Sequence, residues 1–207
     1  MVSSGGLTIV PATRERFDDL ATLVGSPNPE VPACWCLSNR VSTSEFNRLR
    51  GDERPERLRS LCAQTPPPGL LAYFGDTVAG WCSFGPRPTM ERLLRSRTIP
   101  QLAPIGTWCI VCFVVAPSAR RRGVAAALLD GVVDYARANG APALEGYPID
   151  TAGDRVSSAF AYVGTVPLFE RAGFVRYGTT TAHSARLPCV IMRHDLGSRS
   201  DEQKDRR

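Results

Sequence analysis

Six residues, Arg120-Arg121-Arg122-Gly123-Val124-Ala125, follow an apolar run and open a stretch of helical periodicity. That combination suits the binding of a phosphate. The start of a helix offers backbone N–H groups with no intrahelical carbonyl and a partial positive charge. Glycine and alanine let an anion approach the backbone closely. Three guanidinium groups add charge and bidentate donors. The chemistry indicated is recognition of a pyrophosphate. Two other phosphate loops are excluded, because the chain contains neither G-x-x-x-x-G-K-[ST] nor G-x-G-x-x-G.

Glu145 is a second candidate. It lies in the apolar stretch Ala143-Leu144-Glu145-Gly146-Tyr147, where a carboxylate needs either a partner or a task. General base and salt-bridged glutamate are both open readings. Asp150, ahead of a loop, suits a cap, and His183 and His194 titrate in the range useful for proton transfer. The cysteines invite a metal reading, because each of the three tryptophans is followed by one: Trp35-Cys36, Trp81-Cys82 and Trp108-Cys109. Cys34-x-Cys36 has the wrong spacing for a zinc pair. Cys109 and Cys112, three apart in a strand, should point to opposite faces. No metal is therefore expected. The cysteines are read as small hydrophobes packed around the tryptophans.

The elements that position these residues follow from periodicity and punctuation. LTIVPAT (7–13) reads as a strand and 14–25 as an amphipathic helix ended by Gly25; 25–39, with three prolines, reads as a loop. Residues 42–64 read as helix interrupted near Gly51 and restarted around Pro55. GLLAYF and TVAGWCSFG, joined at Gly75-Asp76, form a hairpin. The long 86–106 connection holds a short helix over 90–95. TWCIVCFVVAP (107–117) is a strand buried on both faces. Residues 118–140 are the strongest helix, with Val124, Leu128, Leu129, Val132, Val133 and Ala136 on one face and Gly140 closing it. A strand (141–150), a helix within 163–174 and two last strands complete a mixed α/β order in one domain spanning 1–196. The charged tail over 197–207 reads as disordered.

The totals describe an ordinary globular chain: 207 residues, 43% hydrophobic and 22% charged. The net charge of +5 is carried by scattered arginines, with Lys204 the one lysine. That scatter argues against a nucleic-acid partner. No run of about 18 apolar residues exists, so no membrane span is expected. The N-terminal stretch lacks the basic and apolar regions of a secretory signal, which makes the expected compartment cytoplasmic. The seven cysteines are then expected to stay reduced.

The R-x-x-G-x-A run after a strand ending Val-Val-Ala-Pro resembles the acyl-CoA-binding motif of the GCN5-related N-acetyltransferases (GNAT). Pro167-Leu168-Phe169-Glu170-Arg171-Ala172-Gly173-Phe174 is similar to the late helix and Gly-Phe turn of that superfamily. The clear match covers about 107–178. The resemblance implies a mixed sheet of about six to seven strands flanked by helices, with a splayed central pair forming the acyl-CoA cleft. It implies acetyl-CoA as cosubstrate and no metal. Backbone along Phe113, Val114 and Val115 would hold the pantetheine arm, with an N–H near Val114 facing the thioester carbonyl. Arg120, Arg121, Arg122, Gly123, Val124, Ala125 and Ala126 would hold the pyrophosphate, with Phe169 beside the cofactor.

Acetyl transfer to an amine requires removal of a proton, for which Glu145 is the first choice. The family often places a tyrosine acid in the late helix, but the matching position here is Phe169. Tyr162 or Tyr147 would stand in. The resemblance puts Trp35, Trp81 and Trp108 at the acceptor pocket. An aromatic pocket favours a small amine or amine-bearing drug-like molecule. Protein lysine is the alternative acceptor, and a non-catalytic acyl-CoA-binding sensor the alternative function. The 86–106 connection is open to use as a lid or as a contact in a homodimer.

Overall fold

The computed structural model describes residues 2–4, 6–26, 33–102, 106–153, 161–184 and 186–197. The tail beyond 197 and part of the loop expected over 25–39 lie outside the described residues. Strand β1 (Val2–Ser4) and strand β2 (Leu7–Pro11) open the chain, followed by helices α1 (Phe17–Val24), α2 (Thr43–Arg48) and α3 (Glu53–Cys62). Strands β3 (Gly69–Phe74) and β4 (Thr77–Pro86) form the expected hairpin, and α4 (Glu91–Leu94) sits in the long connection. Then come β5 (Trp108–Val115), α5 (Val124–Ala138), β6 (Ala143–Gly146), α6 (Val166–Arg171), β7 (Val175–Ser184) and β8 (Leu187–Asp195). All eight strands join one sheet in the order β1-β2-β3-β4-β5-β6-β8-β7. The expected six to seven strands become eight because the chain start adds β1, a three-residue edge strand too short to carry a pattern. Among the described residues no helix is long and apolar enough to cross a membrane.

Two apolar layers cover the sheet. Helix α5 packs one face through Val124, Leu128, Leu129, Val132, Val133 and Ala136, the periodic set visible in the sequence. Each of these valines and leucines contributes about 1.5–3 kcal/mol on burial. Helices α1 and α3 with the turn around Leu37 cover the other face, against Val10, Leu71 and Trp81. Arg40 ties that turn to the sheet: its buried guanidinium donates to the carbonyls of Pro68 and Phe84 and to the Ser83 hydroxyl. Burial pushes its pKa down to about 10. The Ser42 hydroxyl accepts from the Glu45 N–H at 3.0 Å and caps α2.

Strand β5 is the element on which the site depends. Ser83 of β4 faces Cys112, but the next residue, Phe84, faces Ile110. Val111 is therefore a bulge, with one extra residue in the strand. Before it, Trp108 and Ile110 face α5; after it, Phe113 and Val115 do. Cys109, Val111, Cys112 and Val114 all fall on the opposite face. The expectation that Cys109 and Cys112 point apart is thus overturned, because the bulge reverses the phase between them. Parallel pairing with β6 joins Trp108 to Leu144, Cys109 to Glu145 and Ile110 to Gly146, and ends there. Downstream of the bulge the two strands part.

The turn after α6 has a local explanation. The Phe174 N–H returns to the Phe169 carbonyl at 3.1 Å and the Gly173 N–H to the Glu170 carbonyl at 3.0 Å, with Phe169 and Phe174 in edge contact. This is a Schellman motif with its apolar contact. The Gly-Phe pair ends the helix and carries the chain into β7.

Candidate active site

The turn from β5 into α5 leaves a ring of donors open. Arg121 and Gly123 both take left-handed dihedrals, φ 61° and 80°, and Gly123 is the N-cap of α5. A Cβ on Gly123 would meet nothing within 4 Å, so backbone angle rather than crowding calls for glycine. The Ala127 N–H bonds the Gly123 carbonyl at 3.0 Å. The N–H groups of Val124, Ala125 and Ala126, ahead of it, have no carbonyl in the helix to reach. Arg120, Arg121 and Arg122 are exposed around them, Arg122 with its guanidinium 3.9 Å over the Phe74 ring. These residues fit a pyrophosphate.

The free edge of β5 continues the seat. The Ala116 N–H bonds the Ala79 carbonyl of β4. Backbone groups alternate sides along a strand, so the Val114 N–H also faces β4, and the Phe113 and Val115 N–H groups face the open side. The donor expected near Val114 therefore moves to its two neighbours. Phe169 fills the wedge where the strands part. Its ring packs edge-on to Phe113 and Phe174, and a Cβ on Gly146 would sit 2.1 Å from it. The ring has no exposed surface. Expected beside the cofactor, Phe169 instead packs the core at the root of the cleft.

On the face opposite α5, two cavities of about 390 and 370 Å³ meet around Val111, Tyr162, Ser38 and Asn39. The first is also walled by Arg92, Tyr147 and His183, and the second by Trp35, Cys36, Cys112 and Val114. Among the described residues no carboxylate lines either. Trp35 stacks on Phe17 with ring centroids 6.3 Å apart. Tyr162 is half exposed, and burial of its hydroxyl raises its pKa.

Behind the first cavity lies a buried polar cluster. Glu145 is fully buried, with Oε2 3.2 Å from Arg87 Nη1 and Oε1 3.9 Å from Arg193 Nη1. Arg87 donates to the Tyr147 hydroxyl at 2.7 Å, and that hydroxyl donates to Glu145 at 3.3 Å and lies 3.2 Å from the Cys109 sulfur. Burial raises the Glu145 pKa, and the Arg87 charge opposes that rise. Among the described residues, Tyr147 links Glu145 to the cavity wall. Among the described residues no group of three or more His, Cys, Asp or Glu is placed to hold a metal.

The family model for the acetyltransferase (GNAT) family matches residues 37–162, more than half of the chain. The chain belongs to that family. As a GNAT N-acetyltransferase it takes its acetyl group from acetyl-CoA. Solved structures share its fold. An N-acetyltransferase from Staphylococcus aureus is 19% identical, covers 92% of this chain and 99% of its own, and superposes with a TM-score of 0.54. A GNAT acetyltransferase from Streptococcus pneumoniae is 16% identical over 92% and 99%, with a TM-score of 0.55. The protein yncA from Salmonella typhimurium, solved with its cofactor acetyl-CoA, is 15% identical over 93% and 95%, with a TM-score of 0.53. At such identities the likeness speaks for the fold. No curated protein sequence matches the chain.

Within this GNAT fold the structure brings Tyr147, Tyr162 and Trp35 together around the paired cavities and sets Glu145 one side chain behind them. It separates the other tryptophans. Trp81 is fully buried beneath the cavity floor, its Nε1–H on the Cys36 sulfur at 3.2 Å. Trp108 faces α5, stacked on Phe84 and near Tyr135. They do not meet across the strands, because Trp81 pairs with Val114 and Trp108 with Pro86. The bulge and the length of the strands put them on opposite faces. Asp150 pairs with Arg176 at 2.8 Å, and His194 packs on Phe174, away from the cavities. Nothing in the sequence singles out Arg87, Arg193 and Arg40. A carboxylate in an apolar strand signalled that some cation would meet it, but which arginine does so depends on the path of the 86–106 connection.

Proposed function

We propose that this acetyltransferase acts on a small amine bound in the paired cavities beside the open edge of β5. The observation that carries the reading is the shape and chemistry of that space: two chambers of about 390 and 370 Å³, each within the range of small-molecule sites, meeting at Val111 and Tyr162. With Arg92 in the wall and no carboxylate among the described lining residues, they suit an amine whose remainder is neutral or anionic. A polypeptide carrying a lysine would call for an open groove instead.

Acetyl-CoA, when bound, supplies an activated acyl group on a thiol of good leaving ability, its pKa ordinarily about 8.5. The N–H groups from Arg121 to Ala126 hold its pyrophosphate, and those of Phe113 and Val115 hold the arm. Tyr162 gives a proton to the departing sulfur. The amine proton passes to the Tyr147 hydroxyl and on to Glu145, which acts through Tyr147 as the proton acceptor. Arg87 orients the tyrosine for that relay.

The test is release of CoA thiol across panels of small amines, peptides and protein lysates. Turnover with small amines, strongest for those bearing an anionic group, supports the reading. Turnover confined to peptides would move the acceptor to protein lysine, and thiol release with none of them would make the chain a sensor. Gly123→Glu should abolish acetyl-CoA binding in calorimetry, since it adds both a strained side chain and a negative charge beside the pyrophosphate; a normal titration would remove the donor seat.

A further inference from the structure

Cys36 and Cys112 come from distant parts of the chain, the turn after residue 33 and the strand just past the bulge, yet their sulfurs lie 3.6 Å apart. Among the described residues theirs is the sulfur–sulfur contact. Both line the 370 Å³ cavity, so a small oxidant entering with or instead of a substrate reaches them. Their placement is enforced from three sides. Trp35 and Cys36 both hold φ near 50°, a conformation side chains seldom take, which aims the Cys36 sulfur inward. The Trp81 Nε1–H, a donor with no acceptor role, points at that sulfur at 3.2 Å. The bulge at Val111 turns Cys112 to the same face.

We propose that Cys36 and Cys112 are a peroxide-responsive dithiol that closes the acceptor cavity when oxidised. The Cys36 thiolate attacks hydrogen peroxide, forming an S–O bond, breaking the O–O bond and releasing hydroxide, which takes up a proton as water. The Cys112 thiol then displaces water from the resulting sulfenic acid and forms the disulfide. In sum, two thiols lose two electrons and two protons, and one peroxide becomes two waters. The hydrogen bond shared with Cys112, then that from Trp81, and the Arg40 charge hold the Cys36 thiol below its ordinary pKa against burial. That favours Cys36 as the attacking sulfur. Bond formation draws the sulfurs together by about 1.6 Å, from 3.6 Å to the disulfide distance, and pins the turn bearing Trp35, Ser38 and Asn39 onto β5.

The closing of the cavity rests on the acceptor reading above, but the cross-link does not. The experiment treats the full chain with hydrogen peroxide, blocks residual thiols by alkylation and maps peptides by mass. The expected result is one cross-linked peptide pair joining Cys36 to Cys112, reversed by dithiothreitol. In Cys112→Ser, Cys36 should be trapped as a sulfenic acid by dimedone. Oxidation confined to the exposed Cys34, with Cys36 and Cys112 both alkylated, overturns the proposal. With an acceptor from the amine screen, the cross-linked protein should lose turnover yet still bind acetyl-CoA. Undiminished turnover by fully cross-linked protein overturns the closure while leaving the acceptor assignment standing.

Discussion

The buried cluster of Glu145, Arg87, Tyr147 and Arg193 is decided by solvation. A carboxylate with no exposed surface is tolerated because two guanidinium groups and a phenol surround it. If it receives the substrate proton through Tyr147, the rate must fall as pH drops and Glu145 is protonated. Burial raises its pKa, so the acid limb of the kcat profile should lie above the ordinary carboxylate range of about 4.3. Glu145→Gln and Tyr147→Phe should each lower kcat and flatten that limb, with the acetyl-CoA Kd unchanged. Arg87→Met removes the charge that opposes the rise, so its limb should move to still higher pH. A limb that stays in place in all three variants would show that the cluster is structural alone.

At the scale of elements, the close approach at the root of the cleft is a packing constraint that can be measured. A Cβ on Gly146 would overlap the Phe169 ring, so Gly146→Ala should cost about 1–3 kcal/mol in urea denaturation. Adding Phe169→Leu should return part of that loss, and simple additivity of the two changes would show that they do not touch. The helices and their caps were legible because their causes are local. The apolar face of α5 repeats along its own sequence, and Gly140 and Gly173 mark turns formed within a few residues. The facing of Trp81 and Trp108 was not legible, because it depends on bulges. A bulge is a property of two paired strands, and nothing in Cys-Ile-Val-Cys-Phe names Val111 as the extra residue. The turn that opens α5, with Gly123 as its cap, was legible to the residue, whereas the N–H groups on the open side of β5 depend on its pairing with β4. Of the cavity walls, Trp35, Tyr147, Tyr162 and His183 were visible in the sequence as candidates, while Ser38, Asn39 and Arg92 were not, since they converge from the turn after residue 33 and from the long connection.

Across the whole molecule, the donor and acceptor sides use different resources. The chain carries a net charge of +5, and three exposed arginines stand at the open end of α5. Acetyl-CoA is a polyanion, so its capture should depend on long-range attraction that salt screens. Raising ionic strength from about 0.05 to 0.5 M should slow acetyl-CoA association by about tenfold in stopped-flow measurements, with kcat little changed. An association rate indifferent to salt would mean that the arginines contribute contact alone. Among the described residues the paired cavities present no carboxylate, so salt should change an acceptor's KM much less than it changes acetyl-CoA association.

Val111 has a consequence for how this strand tolerates change. Its deletion would seat Ile110 and Cys112 opposite Phe84 and Ser83 in unbroken alternation, and every residue downstream would keep the face it has. What would be lost is the local bend and added twist that an extra residue puts into a strand. Val111 works as a shim: its presence, ahead of its kind, sets the angle of β5, and another apolar residue in its place would leave that angle unchanged.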